Sequence, residues 1–503
     1  MASVILCSGI LQWATLTKGH DWGDDFASYV MQARSIVEGT ERAFIEGNRF
    51  TVERSTRMIG PVAAPWGTPA LLAPLYKVFG MEILPLKSLN VACYLLFLVT
   101  LAIGLRKRHP FPFLALLVFF FAFNPAFLSY IDGVLSDIPF LLISTVCVFL
   151  IGRVAVERRP LVSPALDGVL LGALLAAAFS VRTNGILLVA TLLGAHGAAA
   201  WRGLRDRAGA RGVLIDCIPY IVFIVLTLAW DAAFPKGGTT NVRYLESTSL
   251  TTVLRHVRSY GKIPSDFFAG VPGPRIVHFV LVPFLLAGMY RNIRAEYHIV
   301  LYMVLNAVLL LVWPYTQGLR YLVPLMPFYV HYVFIGVRWA VDALGGRRRP
   351  VEGEPEAVGA RRGQLARAAA IGVLVVIAAL FARSSVSRAV DNMRAHRAAP
   401  VGPYMETARE MFDFVRTETA EEAAIIFFKP RAMRMFTGRP SLVVDKPAEV
   451  DRGDYLCYYV IKEPFYELSL ADVARLVEGG RLVPVFANAD FRVYRVVHSM
   501  GRA

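Results

Sequence analysis

No asparagine in this chain stands in an N-x-Ser/Thr frame, so glycosylation gives no hint of a eukaryotic secretory setting. Charge is also scarce: 18% of the 503 residues are Asp, Glu, Lys or Arg, against 56% hydrophobic. With a mean hydropathy of +0.50, this composition excludes an ordinary soluble enzyme. No CxxC pair or histidine-rich cluster suggests a zinc site. Four of the five cysteines, Cys7, Cys93, Cys147 and Cys217, fall in apolar segments, where Cys acts as a small hydrophobe. Cys457 is alone in the polar C-terminal region, with no evident disulfide partner there. An internal repeat, the mark of many transporters, is missing. The first apolar run, Val4–Leu16, lacks a basic n-region and a cleavage site, so it reads as a helix and not a signal peptide. It is short for a span, which leads us to expect residues upstream.

What the chain does have is long apolar runs. Leu86–Leu105, Phe111–Tyr130, Ile138–Val154, Val213–Phe234, Ile276–Tyr290, Ile299–Trp313 and Tyr321–Val341 are among those approaching the ~20 residues of a transmembrane helix. The net charge of +15 sits between such runs, at RKRH (106–109), Arg153 with Arg158–Arg159, 201–211, YRNIR (290–294) and 345–367. Placing these stretches on the cytoplasmic side satisfies the positive-inside rule and predicts about eleven helices, with the N-terminus inside. The charge therefore reports topology, and no nucleic-acid signal accompanies it. Two outward loops are long, 17–67 and 235–273, and everything after about 384 also lies outward.

The first loop opens HDWGDDFASYVMQARSIVEG (20–39). Asp24 or Asp25 is placed to cap a helix running to about Glu38, with Gly39 as its stop. Phe26, Tyr29, Val30, Ala33 and Val37 give it an apolar face suited to the membrane surface. The prolines and glycines of 58–80 predict a bent, interfacial approach to the next span. Beyond 384 the pattern changes to an α/β domain, 384–503, following a membrane core, 1–383. Helices are expected at Pro403–Thr417 and 470–479, and strands at 423–428, 441–444, 455–461 and 491–497.

Capping accounts for one acid, yet Asp24 and Asp25 stand together after Asp21. Clustered carboxylates at a bilayer surface ionise, bind a divalent cation, or act as a base with raised pKa. Asp132 and Asp137 mark another outward junction, where an acid at the head of an apolar run is expensive without a partner; an N-cap is the competing explanation there. Arg182 (SVRTNG) and Arg320 (TQGLRYLVPLMPF) stand at the same level. Snorkelling explains them blandly; a guanidinium fork for a lipid phosphate explains them functionally.

Five stretches in order, DDFASYVMQARSIVEG, APWGTPALLAPLYKVFG, LSDIPFLL, VRTNGILL and RYLVPLMPF, resemble the GT-C superfamily of membrane glycosyltransferases. The likeness is to the bacterial branch similar to protein O-mannosyltransferases and the lipid A aminoarabinose transferase. It implies an α-helical polytopic membrane protein of the inner membrane, with its site and C-terminal α/β domain extracytoplasmic. It also implies an inverting transfer of a hexosyl or pentosyl group from a polyprenyl-phosphate donor to a glycolipid, lipopolysaccharide, envelope glycan or protein. By the same resemblance Asp25, four residues before Tyr29, is the base, Asp24 a supporting acid or alternative base, and Asp137 the family's second loop acid. The family's phosphate-contacting lysine falls on Ala64, so Lys87 or Arg320 would replace it, alongside Arg182. Tyr29 and Tyr321 become substrate-loop candidates. A divalent cation on Asp24, Asp25 and Asp137 is the one cofactor to consider. Two other classes compete. A flippase for a lipid-linked saccharide predicts midplane charge and repeat symmetry. A membrane-anchored assembly or sensor protein would leave Asp25, Asp137 and Arg320 without a role.

Overall fold

The computed structural model describes residues 1–201, 209–238, 248–344, 356–394, 401–460 and 467–498. The basic residues at 202–208 and 345–355, and the last residue of the 455–461 strand, lie outside these. Eight described helices are long and apolar enough to cross a bilayer, nine with one bent pair taken as a span. The chain is a multi-pass membrane protein.

The sequence patterning predicted more crossings than eight for physical reasons that the structure makes plain. Pro274–Val312 holds two helices that meet at a kink, and its 39 residues are together too long for a single bilayer crossing. Its backbone breaks at Glu296 (φ −124°, ψ 27°), between the two apolar runs. The Glu296 carboxylate is bound by Arg108, by His331 Nε2 at 3.0 Å and by Asn292 Nδ2 at 3.2 Å. The run 111–130 is likewise two helices, Phe111–Ala122 and Pro125–Ile131, bent by 51°. Pro125 cannot donate to the preceding turn, and Asn124 restarts the helix by accepting from the Ala126 amide at 2.9 Å. Helix α1 (Ala2–Thr15), at 14 residues, is the short segment seen in the sequence.

Two helices of the first loop follow, α2 (Asp24–Glu38) and α3 (Glu41–Arg54), and then α4 (Gly67–Phe79) at its end. Gly39 ends α2 in the left-handed conformation, φ 68°, as expected. Its N-cap is Gly23, and neither Asp24 nor Asp25 makes a cap bond. The apolar face of α2 also differs from expectation. Phe26, Tyr29, Val30 and Ala33 are buried with Phe44, Leu72, Ala432 and Met435 in one protein core, and only Val37 is exposed. Segment 67–79 and the following helix Ile83–Leu105 are separate, as the prolines indicated.

The last long helix runs unbroken through 383/384 to Arg394. After it, the C-terminal domain holds a five-stranded sheet of order β2-β1-β3-β5-β4: β1 (Ile425–Ile426), β2 (Ser441–Leu442), β3 (Tyr455–Tyr459), β4 (Leu482–Ala487) and β5 (Phe491–Val496). β1 pairs parallel with β2 and β3, whereas β5 pairs antiparallel with β3 and β4. Alternation sends Ile425, Cys457 and Val493 to one face, under the helix Glu406–Glu418. Ile426, Leu456 and Val496 go to the other, with Leu470–Glu478. Two elements escaped the sequence pattern. β4 contains Pro484, which argues against a strand, and it is tolerated because β4 is an edge beside a bulge. The helix Pro430–Thr437 has 8 residues, too few for a periodic signal.

Lys87 ties the membrane core to the first loop. Its ammonium reaches Asp132 at 2.6 Å, the Thr17 and Gly19 carbonyls at 2.9 and 2.6 Å, and the Thr17 hydroxyl at 3.0 Å. Removing the cation alone leaves a buried carboxylate unpaired. We expect Lys87→Met to lose about 3 kcal/mol of stability, read as a lowered thermal midpoint in detergent, with part regained in the Lys87→Met/Asp132→Asn double variant.

Candidate active site

Asp137, the first residue of the helix Asp137–Ile151, has no exposed side-chain surface. A carboxylate there needs compensation, and two guanidinia supply it. Arg182 Nη1 donates to Oδ1 at 2.5 Å, and Arg320 Nε donates to Oδ2 at 2.9 Å. Arg320 then reaches across with Nη1 to Asp25 Oδ2, 2.6 Å, and to Gln317 at 3.1 Å. Four sequence-predicted residues thus form one chain: Arg182, Asp137, Arg320 and Asp25. Asp25 keeps 44% of its side chain accessible, so it is the open end.

Local structure explains the placement. Arg182 follows the helix Pro164–Val181 in extended conformation, φ −149°, ψ 134°, which swings its side chain out of the helical path. Its guanidinium carbon lies 5.9 Å from the ring centres of both Phe140 and Tyr321, within cation–π range. Arg320 and Tyr321 belong to the 3₁₀ turn Gly318–Leu325. Gly67 lets α4 touch the same region, since a Cβ there would meet the Ser180 carbonyl carbon at 2.5 Å.

Tyr29 donates to the Ser136 hydroxyl at 2.9 Å, one residue before Asp137, and burial pushes its phenol up to about 12. It is a neutral strut between α2 and the Asp137 helix. Gln32 bridges from α2 to both backbone groups of Ala64, at 3.0 and 3.1 Å. His20 stacks on Phe26 at 4.0 Å. Its Nε2 accepts from the Val134 amide at 3.0 Å, and its Nδ1 lies 2.9 Å from the Asp21 carbonyl.

The two adjacent acids have different partners. Burial pushes Asp25 up, but the bonded Arg320, with Arg431 and Arg182 behind it, outweighs burial and holds the carboxyl below its usual range. Burial also pushes Asp24 up, and there Arg431 and Lys429 offset it incompletely, so its pKa stays raised. Asp24 Oδ1 accepts from the Arg431 amide at 3.3 Å, at the start of the helix Pro430–Thr437. It faces the C-terminal domain, not the arginines of the membrane core.

Two sequence expectations change. Lys87 is fully buried and engaged by four oxygens, so it presents no free cation to a phosphate. The three acids also do not suit a divalent cation as arranged, because guanidinium N–H groups occupy both Asp137 oxygens and one of Asp25. Among the described residues no group of three or more His, Cys, Asp or Glu is placed to hold a metal ion. Sequence reasoning missed Trp22 and Arg431, and took Ser136 only as an N-cap candidate, the position it holds without a side-chain cap bond. A tryptophan in an otherwise polar loop was a usable signal for the first. Arg431 stands 407 positions from its partner, and no local pattern marks it.

The chain shares its fold with several solved structures. Among solved structures the chain is similar to ArnT from Cupriavidus metallidurans bound to undecaprenyl phosphate, with TM-score 0.60, 12% identity, and 100% and 99% of the two chains covered. The apo state of the same protein gives TM-score 0.58, 12% identity, and 98% and 97% coverage. The archaeal oligosaccharyltransferase AglB from Archaeoglobus fulgidus, in complex with an inhibitory peptide and a dolichol-phosphate, gives TM-score 0.54 at 10% identity. That match covers 91% of this chain and 69% of AglB. No protein-family model matches the chain, and comparison with curated protein sequences finds no match.

Burial holds His20 neutral down to about pH 4, against an ordinary value of 6.5. Between these values the unfolded chain binds a proton that the folded chain does not, so stability falls as pH drops. We expect a loss on the order of 2 kcal/mol from pH 6.5 to 4.5 through this group. His20→Gln keeps one donor and one acceptor without titrating. Thermal midpoints of the two proteins across this range should therefore diverge toward low pH.

Proposed function

We propose that this chain transfers a sugar from a polyprenyl-phosphate donor to an acceptor hydroxyl, with inversion at the anomeric carbon. The Arg182–Asp137–Arg320–Asp25 chain carries the reading: it sets cations for a leaving phosphate beside one accessible carboxylate. The undecaprenyl phosphate bound to ArnT and the dolichol-phosphate bound to AglB support a lipid phosphate as the donor's leaving group.

In this mechanism Asp137 is not the base. Both its oxygens are engaged, and its task is to aim two guanidinia. Asp25 is the base because it shares Arg320 with that centre, whereas Asp24 faces the C-terminal helix. Asp25 takes the proton of the acceptor hydroxyl as the oxygen attacks the anomeric carbon. The carbon–oxygen bond to phosphate breaks, and the polyprenyl phosphate leaves with the electron pair. It needs positive charge more than a proton, which Arg182 and Arg320 provide. Arg320 keeps Asp137 through Nε, and a leaving phosphate that competes for its Nη1 weakens the hold on Asp25, so the carboxylate becomes more basic when it is needed. Tyr321, under Arg182, lines the donor side, and Tyr29 holds the acid helix in place.

The basic stretches support the orientation. Arg153 and Arg158 lie at and just beyond the far end of the helix whose near end carries Asp137, so the site faces away from the positive side, outside the cytoplasm of an inner membrane. The acceptor is then a glycolipid, lipopolysaccharide, envelope glycan or protein on that side.

Native mass spectrometry of the wild type beside Asp25→Asn tests this reading. We expect a polyprenyl-phosphate sugar enriched in the variant, and at least a hundred-fold loss of transfer with folding intact. Full turnover in Asp25→Asn would overturn the assignment. A lipid-linked glycan held equally by both forms would favour transport.

A further inference from the structure

The C-terminal domain grips the first loop at the residues flanking the acidic pair. Trp22 enters an aromatic pocket of that domain: its ring centre lies 5.1 Å from Phe428, 5.6 Å from Phe427, 6.2 Å from Tyr459 and 6.2 Å from Phe491. Phe428, Tyr459 and Phe491 stack in series behind it. Burial pushes the Glu467 carboxyl up to about 8, and the backbone amides of Tyr459 and Phe428 offset part of that rise. An indole buried to this degree contributes on the order of 3 kcal/mol to docking.

Two residues on, the helix Pro430–Thr437 lies across α2. Ala432 and Met435 join the core formed by Phe26, Tyr29 and Val30. Arg434 donates to the Phe44 and Ala43 carbonyls, both at 3.4 Å. Arg431 is 2% exposed; its amide binds Asp24, its Nη2 binds the Pro61 carbonyl, and its buried Nε has no hydrogen-bond partner. The positive charge of this guanidinium favours the ionised form of both Asp24 and Asp25.

We propose that Arg431 is a positioning residue for the acidic pair, and that Trp22 is the anchor that seats it. Through them the C-terminal domain takes Asp24 as its own partner and leaves Asp25 to the membrane core. The domain completes the site; it is not a separate module. This inference rests on the transferase reading for its catalytic meaning. Its structural content, that the domain sets the charge state of Asp24, stands apart from that reading.

The groups facing Asp24 and Asp25 are Arg431 and Lys429 from the C-terminal domain and Arg320 and Arg182 from the core. Arg431→Gln removes a cation while the neighbouring contacts persist. We expect protonation of Asp24, followed by carbodiimide labelling against pH with residue-level mass spectrometry, to shift its midpoint upward by about one pH unit. Arg431→Lys should restore it. Trp22→Ala should move the midpoint the other way, because releasing the domain admits water to Asp24, and Trp22→Phe should stay near wild type. In a turnover assay the acid limb of kcat/KM should also move up in Arg431→Gln, because Arg431 lowers the Asp25 carboxyl as well, with KM changing less than kcat. An unchanged Asp24 midpoint in Arg431→Gln, or the same upward shift in Arg431→Lys, would overturn the proposal. Labelling needs no sugar donor, so an inactive wild type would count against the transferase reading alone.

Discussion

Everything at the loop end of this bundle depends on one buried carboxylate with two guanidinia. Asp137 has no contact with solvent, so its charge is tolerable only while Arg182 and Arg320 both bind it. That requirement fixes where three separate segments end: the helix Asp137–Ile151, the turn after Pro164–Val181, and the 3₁₀ turn Gly318–Leu325. Arg320 has a donor left over, and it spends it on Asp25. The first loop is thereby placed by electrostatics that originate deeper in the protein. Removing either arginine would expose an uncompensated charge, so the structural role and the proposed chemical role share the same atoms.

The proposed chemistry follows from how unequally the acids are treated. Asp137 is saturated with donors and acts as a counter-ion. Asp25 is bonded on one side and open on the other. Asp24 is turned away and protected by the C-terminal domain. Three carboxylates of identical intrinsic acidity therefore take up three tasks, and neighbouring charge and solvent access separate them. The tyrosine, glutamine and histidine struts of the first loop are uncharged and hold α2 without competing for the arginines.

The same loop is held from three sides. Lys87 and Asp132 clamp residues 17–19 to the membrane core. His20 binds the Val134 amide, and Trp22 with Arg431 binds the C-terminal domain. The loop also runs beside the sheet, where the Thr56 amide donates to the Val443 carbonyl at 2.9 Å and its hydroxyl to Asp445 at 2.6 Å. A segment this extensively tied has little freedom to rearrange, which suits a site whose acids must be preorganised. The apolar face of α2, expected on the membrane, is buried under Ala432 and Met435 for the same reason.

Much of this was legible in the sequence. Apolar runs and the basic stretches between them determined the membrane class, because span length and loop charge are local properties. The α2 boundaries and its glycine stop were local as well. So were Asp25, Asp137, Arg182 and Arg320, as polar residues at the ends of apolar helices. Only tertiary structure decided what each charge does. Lys87 looked like a free cation until its four oxygen partners surrounded it, and Asp24 and Asp25 looked interchangeable until Arg431 and Arg320 divided them. The edge position that excuses Pro484 in β4 and the docking of an eight-residue helix were equally invisible. The physical reason is the same throughout. A carboxylate's role is set by which cations and how much water surround it, and the chain brings those neighbours from hundreds of residues away.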